Sequence, residues 1–243
     1  MNQTSRYDLT IIVPVYNEED NMERLEKTLA AFLPLSLKKS CVLFVDDGST
    51  DQSGRLIGEV CGRNADFFHL TLGKNMGLSA AMKAGIDAAF SRLVGYIDAD
   101  LQTTPDDFNL LLEHCDTYQM VMGIRVGRKD SFVKRLSSKI ANGFRRAMTG
   151  DKITDTGCPL KILHTDYAKR IPFFTGMHRF LPALIGLQGA RVKEVPVRHF
   201  PRVAGKSKYH LFNRLAGPFK DCFAFRWMKH RYIHYAVKNT DLC

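Results

Sequence analysis

The chain has 243 residues, of which 45% are hydrophobic, enough to bury the core of one large domain or of one domain with an appendage. Its 35 basic against 25 acidic side chains give a formal charge of +10, which points to polyanionic partners such as phosphates, nucleic acid or an anionic lipid surface. Six cysteines, at 41, 61, 115, 158, 222 and 243, show neither zinc-ligand spacing nor a pairing pattern, so a reducing cytoplasm is expected rather than a disulfide framework.

The N-terminus, MNQTSRYDLT, has no charged start leading into an apolar stretch, so no secretory leader is expected. A spanning helix needs about 20 mostly apolar residues. The best candidate, from Leu211 onward, is broken by Arg214, Lys220, Asp221, Arg226 and Lys229, so membrane contact is expected to be peripheral.

Short apolar runs at 9–15 (LTIIVPV), 41–45 (CVLFV), 67–72 (FFHLTL), 93–97 (LVGYI) and 120–124 (MVMGI) read as strands, with amphipathic stretches of helix length between the first four. That alternation predicts a largely parallel sheet with helices on both faces, in which ligands bind at the carboxyl ends of the strands. The polar clusters sit at those ends: NEED after the first strand, DDGSTD after the second, GKN after the third and DADLQ after the fourth. DDGSTD also reads as a turn with a helix cap at Ser49 or Thr50.

DADLQ, at 98–102, carries the most chemistry. On extended backbone Asp98 and Asp100 leave the same face, and Ala99 between them adds no bulk. Hard oxygen donors of this kind suit magnesium or manganese, which would neutralise charge on a diphosphate leaving group. The plainer reading makes Asp98 a turn residue and Asp100 a cap, ahead of a helix with Thr104 as cap and Pro105 in its first position.

Beyond Ile124 the stretch GIRVGRKDSFVKRLSSKIANGFRRAM is basic. On a helical wheel Phe132, Val133, Leu136, Ile140, Phe144 and Met148 share one side, and Lys134, Arg135, Lys139, Arg145 and Arg146 the other. Such a helix lies either on the domain core or on an anionic surface. RVKEVPVRHF (191–200) reads as a further strand. It leads into RVAGKSKYH (202–210), whose glycine and small residues suggest a mobile loop able to close Arg202, Ser207 and Lys208 over a diphosphate. From His210 onward Leu211, Phe212, Leu215, Phe219 and Phe223 form an apolar stripe, with a break or kink expected at Gly217 and Pro218. FRWMKHRYIHY follows, in which aromatic rings interleave with bases as at a bilayer interface; packing against the domain or a partner subunit is the alternative.

Taken in order, VPVYNEED (13–20), VDDGSTD (45–51), GKNMGLSAAMKAG (73–85), DADLQ (98–102) and DTGCPLK (155–161) resemble the family 2 glycosyltransferases. These have the GT-A nucleotide-diphospho-sugar transferase fold, a Rossmann-like, mostly parallel α/β sheet. Within the family, the chain is most similar to the branch of dolichyl-phosphate mannosyltransferases and bacterial polyprenyl-phosphate glycosyltransferases. The resemblance implies a catalytic domain over 1–210 and a basic, aromatic helical extension over 211–243, membrane-interfacial if it meets a bilayer.

It also implies roles for residues. Pro14, Tyr16, Asn17, Glu18 and Asp46 would line the base and ribose of a nucleotide-diphosphate sugar, with Lys74 and Asn75 nearby. Asp98, Asp100 and Gln102 would hold magnesium or manganese on its diphosphate, and the loop bearing Arg202, Ser207 and Lys208 would close over it. Asp155, with Asp100, would stand at the reaction centre, unless Asp155 only caps local backbone. Arg125 and Arg128, with Lys134 or Arg135, would receive the phosphate of a polyprenyl acceptor. His178 and Arg179 in GMHRFLPAL read equally as a satisfied buried pair or as an acceptor contact.

Two departures stand out. Many relatives place an aromatic and an arginine after the glycine of DTGCPLK, where this chain has Pro159, Leu160 and Lys161, a weaker bidentate donor. Many also continue into membrane-spanning helices, whereas this sequence stops at Cys243. An integral-membrane partner or a homo-oligomer is therefore expected, at the cytoplasmic face of a membrane.

A phosphate acceptor already carries a nucleophilic oxyanion and needs cations more than a base, whereas a sugar hydroxyl needs a positioned base. The expectation is thus an inverting, metal-dependent transfer of a mannose- or glucose-type sugar to polyprenyl phosphate, with GDP and UDP donors both open. Two alternatives stand beside it: a family 2 enzyme that extends a saccharide, and a non-catalytic polyanion- or membrane-binding module. Nucleic acid is not expected, because four acidic strand mouths would repel a phosphate backbone.

Overall fold

A computed structural model describes residues 6–126, 132–201 and 213–233, with 132–140, 213–216 and 218 described as backbone alone. The five apolar runs all form strands: β1 (Leu9–Val15), β2 (Ser40–Asp46), β3 (Phe67–Thr71), β4 (Leu93–Tyr96) and β5 (Met120–Arg125). The run RVKEVPVRHF supplies β7 (Val192–Val197). A further strand, β6 (Lys161–His164), starts at the last residue of DTGCPLK, where no strand is expected from the sequence. Together they make a seven-stranded sheet in the order β3-β2-β1-β4-β6-β5-β7. β6 runs antiparallel to both β4 and β5, while the other pairings are parallel.

Central strands β1 and β2 are buried almost throughout because both faces are covered. On one face α1 (Met22–Phe32) and α2 (Ser53–Arg63) bury Leu25, Leu29, Phe32, Ile57 and Val60 against Ile11, Val13, Val42 and Phe44. The other face carries α3 (Leu78–Ala88), where Gly85 lies so close to Ile12 that an added Cβ would stand 2.7 Å from its Cγ2. Three short helices, α4 (Phe108–Leu112), α6 (Thr165–Lys169) and α7 (Leu181–Gly186), complete the packing.

The basic helix α5 (Phe132–Thr149) meets α8 (Asn213–Arg231), and its described apolar residue Phe144 stacks on Phe219 with ring centroids 4.9 Å apart. α8 stays helical through Gly217 and Pro218, so the expected interruption does not occur; proline there forfeits one main-chain hydrogen bond near the helix start. Nor does α8 stand apart from the domain. Cys222 and Phe225 are buried in the same apolar cluster as Ile12, Met82 and Phe180, and Lys229 Nζ donates to the Thr149 carbonyl at 3.0 Å. The described part of the expected stripe, Phe219 and Phe223, faces outward instead: each is 52% exposed, and Trp227 one turn further is 67% exposed. Among the described residues no helix is long and apolar enough to cross a membrane.

Candidate active site

The mouths of β1 and β2 are locked to each other before any ligand arrives. Asn17 takes a left-handed backbone (φ 51°), donates its N–H to Ser49 Oγ at 3.0 Å, and accepts the Thr50 N–H on its side-chain oxygen at 2.8 Å. Glu18 donates its N–H to Ser53 Oγ at 2.8 Å and accepts from Asn21 through its carboxylate. Ser49 and Thr50 thus bracket Asn17 rather than cap α2, whose first N–H, that of Ser53, is taken by Asp51. Pro14 and Tyr16 are partly exposed at the same mouth.

Asp46 and Asp47 are both buried. Asp46 accepts the Ser49 N–H at 2.9 Å. Asp47, which the sequence reading passed over, accepts the N–H groups of Met76 and Gly77 at 2.7 and 2.8 Å and so clamps the entry to α3. Gly48 has φ 69°, and a Cβ there would lie 2.5 Å from the Lys74 main chain; only glycine lets the two loops approach this closely. The contact carries exposed Lys74 and Asn75 up to the mouth of β2.

The carboxylate pair is built differently from the extended arrangement expected. β4 ends at Tyr96, and Asp98 to Asp100 form a turn closed by Leu101, which sits in the left-handed region (φ 47°) with its N–H directed to the Asp98 carbonyl at 3.3 Å. Arg24 of α1 supports the turn by donating to the Leu101 carbonyl at 3.3 Å. The turn carries both carboxylates. Burial raises the pKa of Asp98; the Tyr96 hydroxyl, which donates to its Oδ1, acts to lower it, and the charge of Asp100 raises it again. Asp100 accepts the Gln102 N–H at 3.1 Å. The Gln102 carbonyl accepts the Phe200 N–H at 2.8 Å and lies 3.1 Å from His199 Nδ1, so the segment leading out of β7 is tied to the residues that follow the carboxylates. Arg198 strengthens that tie with hydrogen bonds of 2.7 and 2.9 Å to buried Asp107.

Facing this acidic turn are cations. Arg125, at the end of β5, and Asp155 form a two-pronged pair: Nε and Nη2 donate to Oδ2 and Oδ1 at 2.9 and 2.8 Å, and the Arg125 N–H reaches Oδ2 at 3.1 Å. Burial acts to lower the Arg125 pKa, but the hydrogen bonds and charge of Asp155 outweigh it and hold the guanidinium firmly protonated. Lys161, at the start of β6, is buried beneath the site, with its ammonium donating to the Cys158 carbonyl and lying 5.7 Å from the centre of the Tyr96 ring. Burial lowers its pKa, and the nearby Asp98 and Asp155 charges oppose that. The sequence marks Lys161 only as a poorer fork; its burial follows from the antiparallel strand β6, which puts it beside Tyr96 of β4.

His178 lies in a single turn (Met177–Arg179), its Nδ1 2.9 Å from Ser79 Oγ of α3, which also accepts the Gly176 N–H at 3.1 Å. His178 is thus hydrogen-bonded within the domain. Burial, followed by the charges of Arg179 and Lys161, pushes its pKa down from 6.5 to about 3. Between those limits the unfolded chain binds a proton that the folded chain refuses, so stability is full above pH 6.5 and drains away as pH falls toward 3. Melting temperatures of the wild type and of His178→Gln, compared from about pH 7 to about pH 4.5, should show a shallower decline in the variant; parallel declines would contradict the assignment.

The remaining expected residues lie outside what the structure describes: Arg128, Arg202, Ser207 and Lys208 fall in undescribed segments, and Lys134 and Arg135 are placed only as α5 backbone. Among the described residues no group of three or more His, Cys, Asp or Glu converges as a ready-made metal cage. Two carboxylates on one turn nonetheless fit magnesium or manganese, which commonly take one or two protein carboxylates and complete their shell with substrate phosphates and water.

The geometry defines a wound α/β domain with acidic strand mouths opposed by a partly buried Arg125 and a buried Lys161, and comparison with known proteins places it. The model of glycosyl transferase family 2 matches residues 10–172. An undecaprenyl-phosphate 4-deoxy-4-formamido-L-arabinose transferase from Edwardsiella ictaluri is 34% identical over 206 residues, 84% of this chain and 63% of that protein. A dodecaprenyl-phosphate galacturonate synthase from Rhizobium johnstonii is 34% identical over 208 residues, 83% of this chain and 62% of that protein. The chain therefore spans less than two thirds of the length of these relatives. Two solved structures share the fold. A mannosyltransferase from Pyrobaculum calidifontis, in complex with GDP-Man and Mn2+, superposes with a TM-score of 0.65 at 18% identity, covering 96% of this chain and 67% of that one. Glucosyl-3-phosphoglycerate synthase from Mycobacterium tuberculosis, in complex with Mn2+, UDP-Glc and phosphoglyceric acid, gives 0.65 at 14% identity over 94% of this chain and 81% of that one. The chain belongs to glycosyl transferase family 2 and has its GT-A fold.

Proposed function

We propose that the protein transfers a sugar from a nucleoside diphosphate to a polyprenyl phosphate. The observation that carries this reading is the engagement of Asp155. Both of its oxygens accept from the Arg125 guanidinium, which makes it a poor base for deprotonating a sugar hydroxyl. A phosphate monoester needs no such base. Its oxyanion attacks the sugar C1 as the bond from C1 to the diphosphate oxygen breaks, with inversion, and Arg125 and Lys161 supply positive charge on that side of the site. The names of the curated relatives, transferases and synthases of polyprenyl-phosphate sugars, point the same way.

Asp98 and Asp100 are proposed to hold Mg2+ or Mn2+, which when bound supplies charge neutralisation at the departing diphosphate. Asn17, Glu18, Asp46, Lys74 and Asn75, on loops already braced against one another, are proposed to bind the nucleoside. Arg128, with Lys134 or Arg135, is proposed to add to the acceptor-phosphate site, and Arg202, Ser207 and Lys208 to the donor side.

Incubating the protein with radiolabelled nucleotide sugars, a divalent cation and either a lipid phosphate or an oligosaccharide tests the reading. Label in the organic phase with the lipid phosphate alone is expected; label in the oligosaccharide alone would favour the saccharide-extending alternative.

The acceptor lies in a bilayer, and α8 offers a surface for one: Phe219, Phe223 and Trp227 are exposed at successive turns, flanked by Lys220, Arg226 and Arg231. Flotation with vesicles containing anionic lipid should carry the wild type upward and leave a Phe219→Ser, Phe223→Ser, Trp227→Ser variant in the dense fraction. Equal flotation would dismiss this surface.

A further inference from the structure

The stretch that bears Asp155 runs from the end of α5 to β6 and is fastened at two points. At the first, Arg145 of α5 donates to the Ile153 carbonyl at 2.7 Å and pairs with Asp151, whose Oδ1 accepts the Ile153 N–H at 2.9 Å. These contacts end at Ile153, short of the reacting region. At the second, Glu194 of β7 takes over: its carboxylate accepts the Asp155 N–H at 2.9 Å, the Thr154 N–H at 3.0 Å and the Thr154 hydroxyl at 2.9 Å. One side chain thus gathers three donors from two consecutive residues.

That is an unusual use of a residue on an edge strand. A partly exposed glutamate on β7 could stand in water at little cost, and β7 is already paired along its length to β5 from Met120 to Arg125. The bonds from Glu194 therefore add little to the sheet. What they fix is the main chain from which the Asp155 side chain departs, and with it the two-pronged contact to Arg125. The path is continuous: edge strand, Glu194, Asp155 main chain, Asp155 carboxylate, Arg125 fork at the end of β5.

We propose that Glu194 is a positioning residue for glycosyl transfer, setting Asp155 so that the Arg125 guanidinium is held in the orientation that meets the acceptor phosphate. This rests on the reading of the site as a sugar-to-phosphate transferase. Glu194 touches no reacting atom and acts through Asp155.

The test uses the full chain carrying Glu194→Ala, Glu194→Gln, Asp155→Asn, or Glu194→Ala together with Asp155→Asn. With a short-chain polyprenyl phosphate as acceptor, Glu194→Ala should lower kcat about tenfold or more while the affinity for the nucleoside diphosphate stays within about twofold. Glu194→Gln keeps one acceptor oxygen and should recover part of the loss. The double variant should be no slower than Asp155→Asn alone, since residues acting in series do not add. Amide hydrogen exchange should accelerate at Thr154 and Asp155 and stay unchanged in β5 and β7. Wild-type turnover in Glu194→Ala, a fully additive double variant, or equal loss of nucleotide affinity with faster exchange throughout β5 and β7 would each overturn the proposal. Should the wild type transfer no sugar to a lipid phosphate, the functional reading falls; unchanged exchange at Thr154 and Asp155 in Glu194→Ala would sink the positioning role independently.

Discussion

Replacing Asp100 with Asn should abolish turnover while leaving the fold intact. The side chain is buried at the closing turn after β4, and its Oδ1 accepts the Gln102 N–H. An asparagine oxygen can accept the same bond, so the turn has no reason to open. What disappears is one of the two negative charges on the turn, the one that acts to raise the pKa of Asp98. If that pair binds a divalent cation against a leaving diphosphate, losing half of it forfeits several kcal/mol of charge stabilisation, or about a thousandfold in rate. Steady-state transfer assays beside thermal melts read both halves of the claim. Undiminished activity in a folded Asp100→Asn protein, with magnesium or manganese supplied, would remove the cation from the account.

The second large effect is expected at Asp155. Side-chain exposures of 16% for Arg125 and 13% for Asp155 leave each charge little water to fall back on. Truncating Asp155 to Ala strands the guanidinium, a change that typically costs about 3 to 5 kcal/mol, far more than the pair contributes net. Transfer should fall at least about a hundredfold, since the Arg125 fork then has no fixed direction. Removing both partners, as Arg125→Ala with Asp155→Ala, should restore much of the lost stability but none of the activity. Denaturant melts of the two proteins separate these outcomes: a double variant less stable than the single one would show that the pair is not the buried, mutually compensating unit described.

Much of the scaffold was legible from periodicity. Runs such as LTIIVPV and CVLFV are apolar at nearly every position because both faces of β1 and β2 are covered, and that pattern survives without any tertiary information. β6 was not legible. It has four residues, begins with a lysine, follows a proline and a leucine outside any regular element, and earns its place by pairing antiparallel between β4 and β5, a long-range choice that no local window carries. The kink expected at Gly217 and Pro218 failed for a related reason: α8 is held by packing of Cys222 and Phe225 into the core, which overrides local propensity.

The candidate site divides in the same way. The acidic strand mouths were visible as motifs, and their order carried the family. Their geometry was not. Sequence spacing suggested that Asp98 and Asp100 share one face of a strand, whereas a left-handed Leu101 gathers them on a turn, a conformation few would assign to leucine. Adjacent aspartates in DDGSTD gave no hint that Asp47 would clamp the start of α3. Arg125 and Asp155, thirty residues apart, read as an acceptor-phosphate contact and a reaction-centre residue with separate roles, and turn out to hold each other. Glu194 looked like an ordinary polar position on a strand, because its partners at 154 and 155 lie forty and thirty-nine residues away.

Calorimetric titration of the protein with GDP and UDP, in the presence and absence of manganese, bears most directly on whether the paired carboxylates clamp a cation against a diphosphate. Binding of at least one nucleotide should tighten about tenfold or more with manganese, and the gain should vanish in Asp98→Asn and Asp100→Asn proteins that still melt cooperatively. Affinity indifferent to manganese, or a manganese effect undiminished in both variants, would contradict it.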